Sequence, residues 1–216
     1  MYFAGILKKS GVVQISSERV SKIVKSLKSY MHFESSDEML PAYLPDTMET
    51  VLTILHSKIK HGIEVTTNYE SIPSVYCYAD ELSQIFTNLI HNSIQAMEGK
   101  GTLLIEIKQT PIPEKKSIVS HFPPTKEERV EFVEKHRYTN FLSISIEDSG
   151  PGIPPEIQKK IFEPFFTTKK AGEGSGLGLH IIRKILDKHA GFLELSTKPG
   201  STRFTVRVPA RVEILK

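Results

Sequence analysis

Three stretches of the chain combine residue types at spacings that suit chemistry. In the first, Gln84, Asn88, His91, Asn92 and Gln95 fall on one side of a helical projection at about 100° per residue, while Leu82, Ile85, Phe86, Leu89, Ile90, Ile94 and Met97 fill a wide apolar arc. A solvated face normally carries Lys and Glu, and each Asn costs roughly 0.5 kcal/mol of helix propensity against Ala. A row of carboxamides and a histidine therefore points to a partner other than water. An Asn carbonyl oxygen suits Mg²⁺, a hard ion that takes few protein ligands and keeps phosphate oxygens and waters for the remainder. In the second stretch, Leu142, Ile144 and Ile146 share one strand face by parity, and Asp148 falls on that core-facing side. A carboxylate at a buried position is costly unless hydrogen-bonded. The turn that follows, SGPGI (149–153), lets backbone approach a ligand closely. An acceptor-only Asp in an apolar slot suits an exocyclic amine such as adenine N6, and the same pattern also fits an Asp that caps its own turn. In the third stretch, Gly172, Gly174, Gly176 and Gly178 lead into a helix. Backbone N–H groups at such a place form a phosphate cradle, although a flexible loop shares the composition. The spacing is neither G-x-G-x-x-G nor G-x-x-x-x-G-K-[ST], so the two common nucleotide motifs are excluded.

The elements that must position these residues follow from periodicity. Residues 15–33 place Val20, Ile23, Val24, Leu27, Tyr30 and Met31 on one apolar helix face. Such a stripe must dock on the rest of the chain or on another subunit. Residues 34–45 read as a linker. A helix is expected from Asp46, as N-cap, to about Lys60, and IEVTTNY (63–69) alternates as a strand. Asp80 is expected to cap the long helix 80–98. TLLIEIK (102–108) and FLSISIED (141–148) read as strands, a helix follows Pro154 and Pro155, another runs from about Leu177 to Ala190, and FLELST and TRFTVRV close the chain as strands. Residues 109–140 form a connector long for a compact domain, either a surface excursion or a partner-contacting insertion. Mixed helices and hairpins favour an α+β fold: a two-layer sandwich whose mixed, mostly antiparallel sheet is covered on one face by helices, with the amphipathic helix at the N-terminal side.

Composition bounds the function. At about 150 residues per domain, 216 residues allow one generous domain or one domain with an appendage. A net charge of +3 is too mild for a dedicated nucleic-acid binder. No apolar run is long enough to span a bilayer, and MYFAGILKKSG lacks the order of a signal peptide. The single Cys77 rules out an internal disulfide and a multi-Cys zinc site, which makes a reducing, cytoplasmic setting the expectation, with no membrane contact by this segment.

The succession DELSQIFTNLIHNSIQAM (80–97), DSGPGI (148–153), FEPFFTTK (162–169) and GEGSGLGL (172–179) resembles the N, G1, F and G2 boxes of the sensor histidine kinase ATP-binding domain. That domain belongs to a superfamily shared with gyrase, mismatch-repair and heat-shock chaperone ATPases. The likeness extends over about residues 43–210, and LSTKPGSTRFTVRVP (195–209) is similar to the family's closing hairpin. The resemblance implies a catalytic domain that binds ATP with Mg²⁺ and transfers the γ-phosphoryl to a histidine, for relay to a response regulator receiver domain. It implies Asn92 as the Mg²⁺ ligand, Asn88 beside the triphosphate, and Asp148 as acceptor of the adenine amine, with Gly150, Gly152 and Ile153 shaping the pocket. Gly174, Ser175, Gly176, Leu177 and Gly178 would offer backbone to the phosphates. Gln95, Thr168 and Thr202 would line the nucleotide, and Lys169 would meet phosphate charge. Phe162, Phe165 and Phe166 would anchor a lid.

Two departures accompany the likeness. Gln95 stands where many relatives carry a basic residue, and no histidine of the chain (His32, His56, His61, His91, His121, His136, His180, His189) sits in a phosphoacceptor box. The helix 15–33 resembles the second helix of the family's dimerisation hairpin, which divides the chain into residues 1–42, a hairpin remnant that would dimerise the intact kinase, and 43–216, the ATP-binding domain with an insertion at 109–140. A serine kinase of the anti-sigma-factor type, or a non-catalytic dimerisation module on the same fold, are the competing readings.

Overall fold

The computed structural model describes residues 38–111, 140–169 and 174–211. The expected helix 15–33 and most of the connector expected at 109–140 lie outside the described residues. The elements run β1 (Leu40–Ala42), α1 (Leu44–Ile59), β2 (Ile63–Tyr69), β3 (Val75–Cys77), α2 (Ala79–Ala96), β4 (Gly101–Pro111), β5 (Asn140–Asp148), α3 (Gly178–Lys188), β6 (Phe192–Lys198) and β7 (Ser201–Pro209). Five strands form one sheet in the order β2-β4-β5-β7-β6, with β2 and β4 parallel and the remaining pairs antiparallel. The expected mixed, mostly antiparallel sheet is what the chain forms.

Parity along the strands sorts the two faces of this sheet. Leu103, Ile105 and Ile107 of β4 sit opposite Asp148, Ile146 and Ile144 of β5. The same three β5 residues face Thr202, Phe204 and Val206 of β7. The apolar members of this layer are buried beneath three helices. Helix α1 delivers Leu44, Met48, Val51, Leu55 and Ile59 at steps of three and four. Helix α2 delivers Leu82, Ile85, Phe86, Leu89, Ile90 and Ile94, and α3 adds Ile181, Ile182, Ile185 and Leu186. Truncating the fully buried Phe86 to Ala would cost about 3–5 kcal/mol. The other sheet face is largely polar, apart from Phe141 and Phe192, whose buried rings pack 5.8 Å apart at one end. Arg203 there donates to Glu106 and Glu147, each at 2.7 Å, Arg207 donates to Glu194 at 3.1 Å, and Ser145 meets Thr205 at 3.0 Å.

Several local expectations need correction. Tyr43 and Tyr78, not Asp46 and Asp80, occupy the N-cap positions, and neither makes a side-chain cap. Both helices start without an oxygen cap: Pro45 sets the helical φ at the entry of α1, and Asp46, Asp80 and Glu81 place negative charge in the first turns. The expected linker 34–45 contains β1, which pairs with β3. Pro154 and Pro155 start no α-helix. The chain there makes successive i→i+3 bonds, such as Lys160 N–H to the Ile157 carbonyl at 2.8 Å, and ends in a short 3-10 helix, Lys160–Phe162. Its Phe162 is buried in the core. The β4–β5 ladder extends to Pro111 opposite Asn140, so both ends of the expected connector are strand. No described helix is long and apolar enough to cross a membrane.

Candidate functional site

Helix α2 runs from Tyr78 toward the rim where β5 ends, and its amphipathicity decides what it shows there. The apolar arc is spent on the sheet, which leaves Asn88, His91, Asn92 and Gln95 on the side that lines a cavity of about 630 Å³. Such a volume lies within the range of small-molecule sites. The floor is the end of β5. Asp148 is 3% exposed, with Oδ2 accepting from the Ser93 hydroxyl at 2.8 Å and Oδ1 from the Gly150 N–H at 3.0 Å. Burial outweighs these two bonds and pushes its carboxyl above the usual range, with Glu147 adding to the rise. Two donors leave further lone pairs on the carboxylate, which lines the cavity together with Thr202 opposite it. Thr202 also belongs to a hydroxyl chain. Its Oγ1 lies 3.3 Å from that of Thr197, which accepts the Ile153 N–H at 2.9 Å and so fixes the cavity wall.

Two glycines act here by their bareness. A Cβ on Gly150 would come within 2.7 Å of Asp148 Oδ1. Gly152 has φ +85°, and its Cβ would meet the Lys198 carbonyl oxygen at 2.4 Å. Gly150 and Leu177 do not line the cavity as expected: the Gly150 amide is used on Asp148, and Leu177 is buried as the N-cap of α3. Gly172 lies outside the described residues. Gly152, Ile153, Thr168, Lys169, Gly174, Ser175, Gly176 and Gly178 are all brought to the lining.

The far end of the cavity differs in character. The Asn88 Nδ2 amide is buried and, among the described residues, has no hydrogen-bond partner. A buried amide hydrogen without an acceptor is costly, and a ligand oxygen would relieve it. Gly178 opens α3 close by, where a Cβ would touch the Asn88 amide at 3.8 Å. The ammonium of Lys169 donates to Asn92 Oδ1 at 3.2 Å and also to Gln95 Oε1. His91 is half-buried, and burial together with Lys58 and Lys169 pushes its imidazole below the ordinary value, toward the neutral form. Phe166 faces the cavity, whereas Phe165 is largely exposed and holds φ +67°, an uncommon conformation for a bulky residue. Its N–H donates to the Gly176 carbonyl at 2.9 Å, and only a glycine at 176 (φ +68°) permits this approach, since a Cβ would lie 2.4 Å from the Phe165 carbonyl carbon. Phe165 thus contributes its backbone, not a packed ring.

Sequence reasoning missed Ser93 and the apolar wall of Ile157, Ile161, Leu179 and Phe204. A signal for Ser93 existed: it is a small polar residue between Leu89 and Met97 at spacing four on the apolar arc.

The profile describing the histidine kinase-, DNA gyrase B- and HSP90-like ATPases matches residues 77–212. The chain belongs to this ATPase family. It is 29% identical over 185 residues to the sensory histidine kinase/phosphatase NtrB of Escherichia coli O157:H7, covering 81% of this chain and 48% of that protein. With NtrB of Rhizobium leguminosarum bv. phaseoli it shares 27% identity over 197 residues, 90% of this chain and 47% of the relative. The chain spans about half the length of the curated relatives it matches. Among solved structures, the catalytic domain of histidine kinase ThkA aligns with a TM-score of 0.61 and 26% identity over 81% of this chain and 97% of that one. ThkA in complex with the response regulator TrrA aligns at TM-score 0.62 and 22% identity, over 94% of this chain and 51% of that chain, a likeness of fold.

The cavity of this family member fits the nucleotide its name implies. The Asp148 end offers carboxylate lone pairs beside an apolar wall, which suits an exocyclic amine on a planar base. The Asn88 end offers an amide donor and a glycine-lined helix N-terminus to an anion. For a metal, the described residues hold no cluster of three or more His, Cys, Asp or Glu. The one carboxamide oxygen of Asn92 fits Mg²⁺, which keeps most of its shell for phosphates and water.

Proposed function

We propose that this chain is the catalytic, ATP-binding part of a two-component sensor histidine kinase, working with Mg²⁺ and transferring the γ-phosphoryl to a histidine supplied by another segment or chain. The observation that carries this is the polarity of the cavity: a buried acceptor at Asp148 on one end, and Asn88, Asn92, Lys169 and the Gly174–Gly178 backbone on the other. The kinase names of its relatives support the branch, and the solved complex of ThkA with TrrA supports a receiver-domain partner. In this reading, residues 1–42 belong to a hairpin that dimerises the intact kinase, residues 43–216 form the ATP-binding domain with β1 at the boundary, and the segment works in the cytoplasm.

Asp148 orients the base by accepting its amine, with Ser93 and the Gly150 amide holding the carboxylate still. The Gly152–Pro154 turn and Ile157, Ile161 and Phe204 exclude water from the ring. Asn88 donates to a phosphate oxygen, Lys169 neutralises phosphate charge, and the amides of Gly174, Ser175, Gly176 and Gly178 cradle the terminal group. Asn92 would hold Mg²⁺, which when bound screens the charge of the triphosphate. Phosphoryl transfer through a loose transition state asks little beyond positioning and electrostatic stabilisation, which these groups supply. In hydrolytic branches of the superfamily a Glu stands one turn before the Mg²⁺ ligand. Asn88 occupies that turn and cannot take a proton from water, so hydrolysis should be slow and transfer to an imidazole preferred.

Incubating the full-length parent protein with ATP radiolabelled at the γ position tests the reading. Acid-labile label on histidine is the expected result. Acid-stable label on serine would favour the anti-sigma type, and phosphate release at a gyrase-like rate without protein label would overturn the kinase assignment.

A further inference from the structure

The contact between Lys169 and α2 has a charge logic that the nucleotide reading alone does not supply. Asn92 and Gln95 are three residues apart, so both side chains emerge on one face of α2. Each turns its carbonyl oxygen, not its N–H₂, toward the same ammonium. Lys169 is aimed there by its local chain. Its N–H donates to Thr167 Oγ1 at 3.2 Å, and its stem passes Gly174, where a Cβ would crowd Lys169 Cδ at 3.1 Å. A pair of amide oxygens converging on a cation is the donor set a hard metal ion would also seek. Lys169 thus holds the oxygen that Mg²⁺ needs. Two cations on one amide oxygen would repel strongly inside a partly buried cavity.

We propose that Lys169 is the resident cation of the Asn92–Gln95 oxygen pair while the site is metal-free, and that it sets how strongly nucleotide binding depends on Mg²⁺. When ATP arrives without metal, the ammonium is already between α2 and the phosphates and serves as their counter-charge. With Mg²⁺ present, Asn92 Oδ1 would serve as its ligand, and the Lys169 ammonium, released from that oxygen, would turn to a phosphate oxygen. Gln95 is the positioning residue: its uncharged oxygen holds Lys169 in the waiting place, where a basic side chain at 95 would expel it. This inference rests on the proposed nucleotide site.

The test is ATP titration by calorimetry of the wild-type chain and Lys169→Met, each with a chelator and with saturating Mg²⁺. The ratio of the metal-free Kd to the Mg²⁺ Kd should rise by about tenfold or more in Lys169→Met, because the metal-free complex loses the ammonium that stands in for the metal. An unchanged ratio would overturn the proposal and leave Lys169 a phosphate contact indifferent to metal. Gln95→Leu supplies an independent arm. With Lys169 held by one oxygen fewer, half-maximal Mg²⁺ enhancement of ATP binding should occur at lower Mg²⁺, and a midpoint equal to wild type would contradict the competition. ATP binding to neither protein under either condition would instead refute the nucleotide site itself.

Discussion

The two ends of the cavity are built on opposite principles. At the Asp148 end the carboxylate has internal donors on both oxygens, from Ser93 and from the Gly150 amide, and Ile153 is fixed through Thr197. At the Asn88 end a buried amide has no partner among the described residues, and Lys169 rests on side-chain oxygens of α2. The first end has its internal contacts made before a ligand arrives, which suits recognition of a planar ring by shape and one hydrogen bond. The second holds contacts that can be exchanged, which suits a charged group that must be bound, spent and released. The proposed phosphoryl transfer needs both, because the nucleotide keeps its base while its phosphate chain changes.

Substitutions can break this comparison, and the largest effect should come from the Asp148 end. In Asp148→Asn the new amide can keep both internal bonds, its oxygen accepting from Gly150 and its N–H₂ donating to Ser93. The remaining N–H then faces the amine of the base, donor against donor. ATP affinity should fall by about tenfold to a hundredfold in calorimetry. Stability should not fall. The raised carboxyl pKa of Asp148 means that its favourable contribution is present in acid and lost as pH rises through that pKa. At neutral pH the charged group costs the fold, and the neutral amide removes that cost. The variant should therefore melt no lower than wild type at pH 7, with the gap narrowing on acidification. A lower melting point at unchanged affinity would make Asp148 structural.

The exchangeable end should respond next. Gly176→Ala forces a Cβ against the Phe165 carbonyl at φ +68° and should cost about 1–3 kcal/mol of stability, together with weaker ATP binding. Asn92→Ala should leave the melting point near wild type and lower the Mg²⁺-supported affinity by about tenfold, and an unaltered Mg²⁺ titration would remove Asn92 from the metal site. A smaller effect is expected from pH. His91 is held neutral by burial, Lys58 and Lys169, and nearby phosphates would raise its pKa, so binding takes up a proton and affinity should grow a few-fold as pH falls below the ordinary imidazole range. His91→Gln should flatten that slope relative to wild type. Arg203→Met on the polar sheet face should change stability by less than about 1 kcal/mol and leave ATP affinity alone, since Arg203 is partly exposed and lies on the side of the sheet away from the cavity.

Legibility in sequence followed the range of the interactions. The polar stripe of α2 and the parity that turns Asp148 inward are local, so they could be read from spacing alone. Ser93 could not be assigned, because its partner lies on β5 and only the fold brings them together. Strand β1 escaped notice because three residues containing Pro41 carry no periodicity, and they become a strand only by pairing with Val75–Cys77. The helix starts were misplaced by giving Asp46 and Asp80 a capping role, when their charges act one or two residues inside the first turn. After Pro154 and Pro155 the chain has the signature of a helix start, yet Gln158 Nε2 donates back to the Ile153 carbonyl at 2.9 Å and i→i+3 bonds carry Phe162 into the core. Lys169 reaching Asn92 joins sites far apart in sequence, which no spacing rule foresees.

A structure of the chain with a non-hydrolysable ATP analogue and Mg²⁺ tests the central claim most directly. The account predicts the adenine amine within hydrogen-bond distance of Asp148, the triphosphate against Asn88 and the Gly174–Gly178 amides, and the metal on Asn92. A base seated elsewhere, with Asp148 still bonded to Ser93 and Gly150 alone, would contradict it.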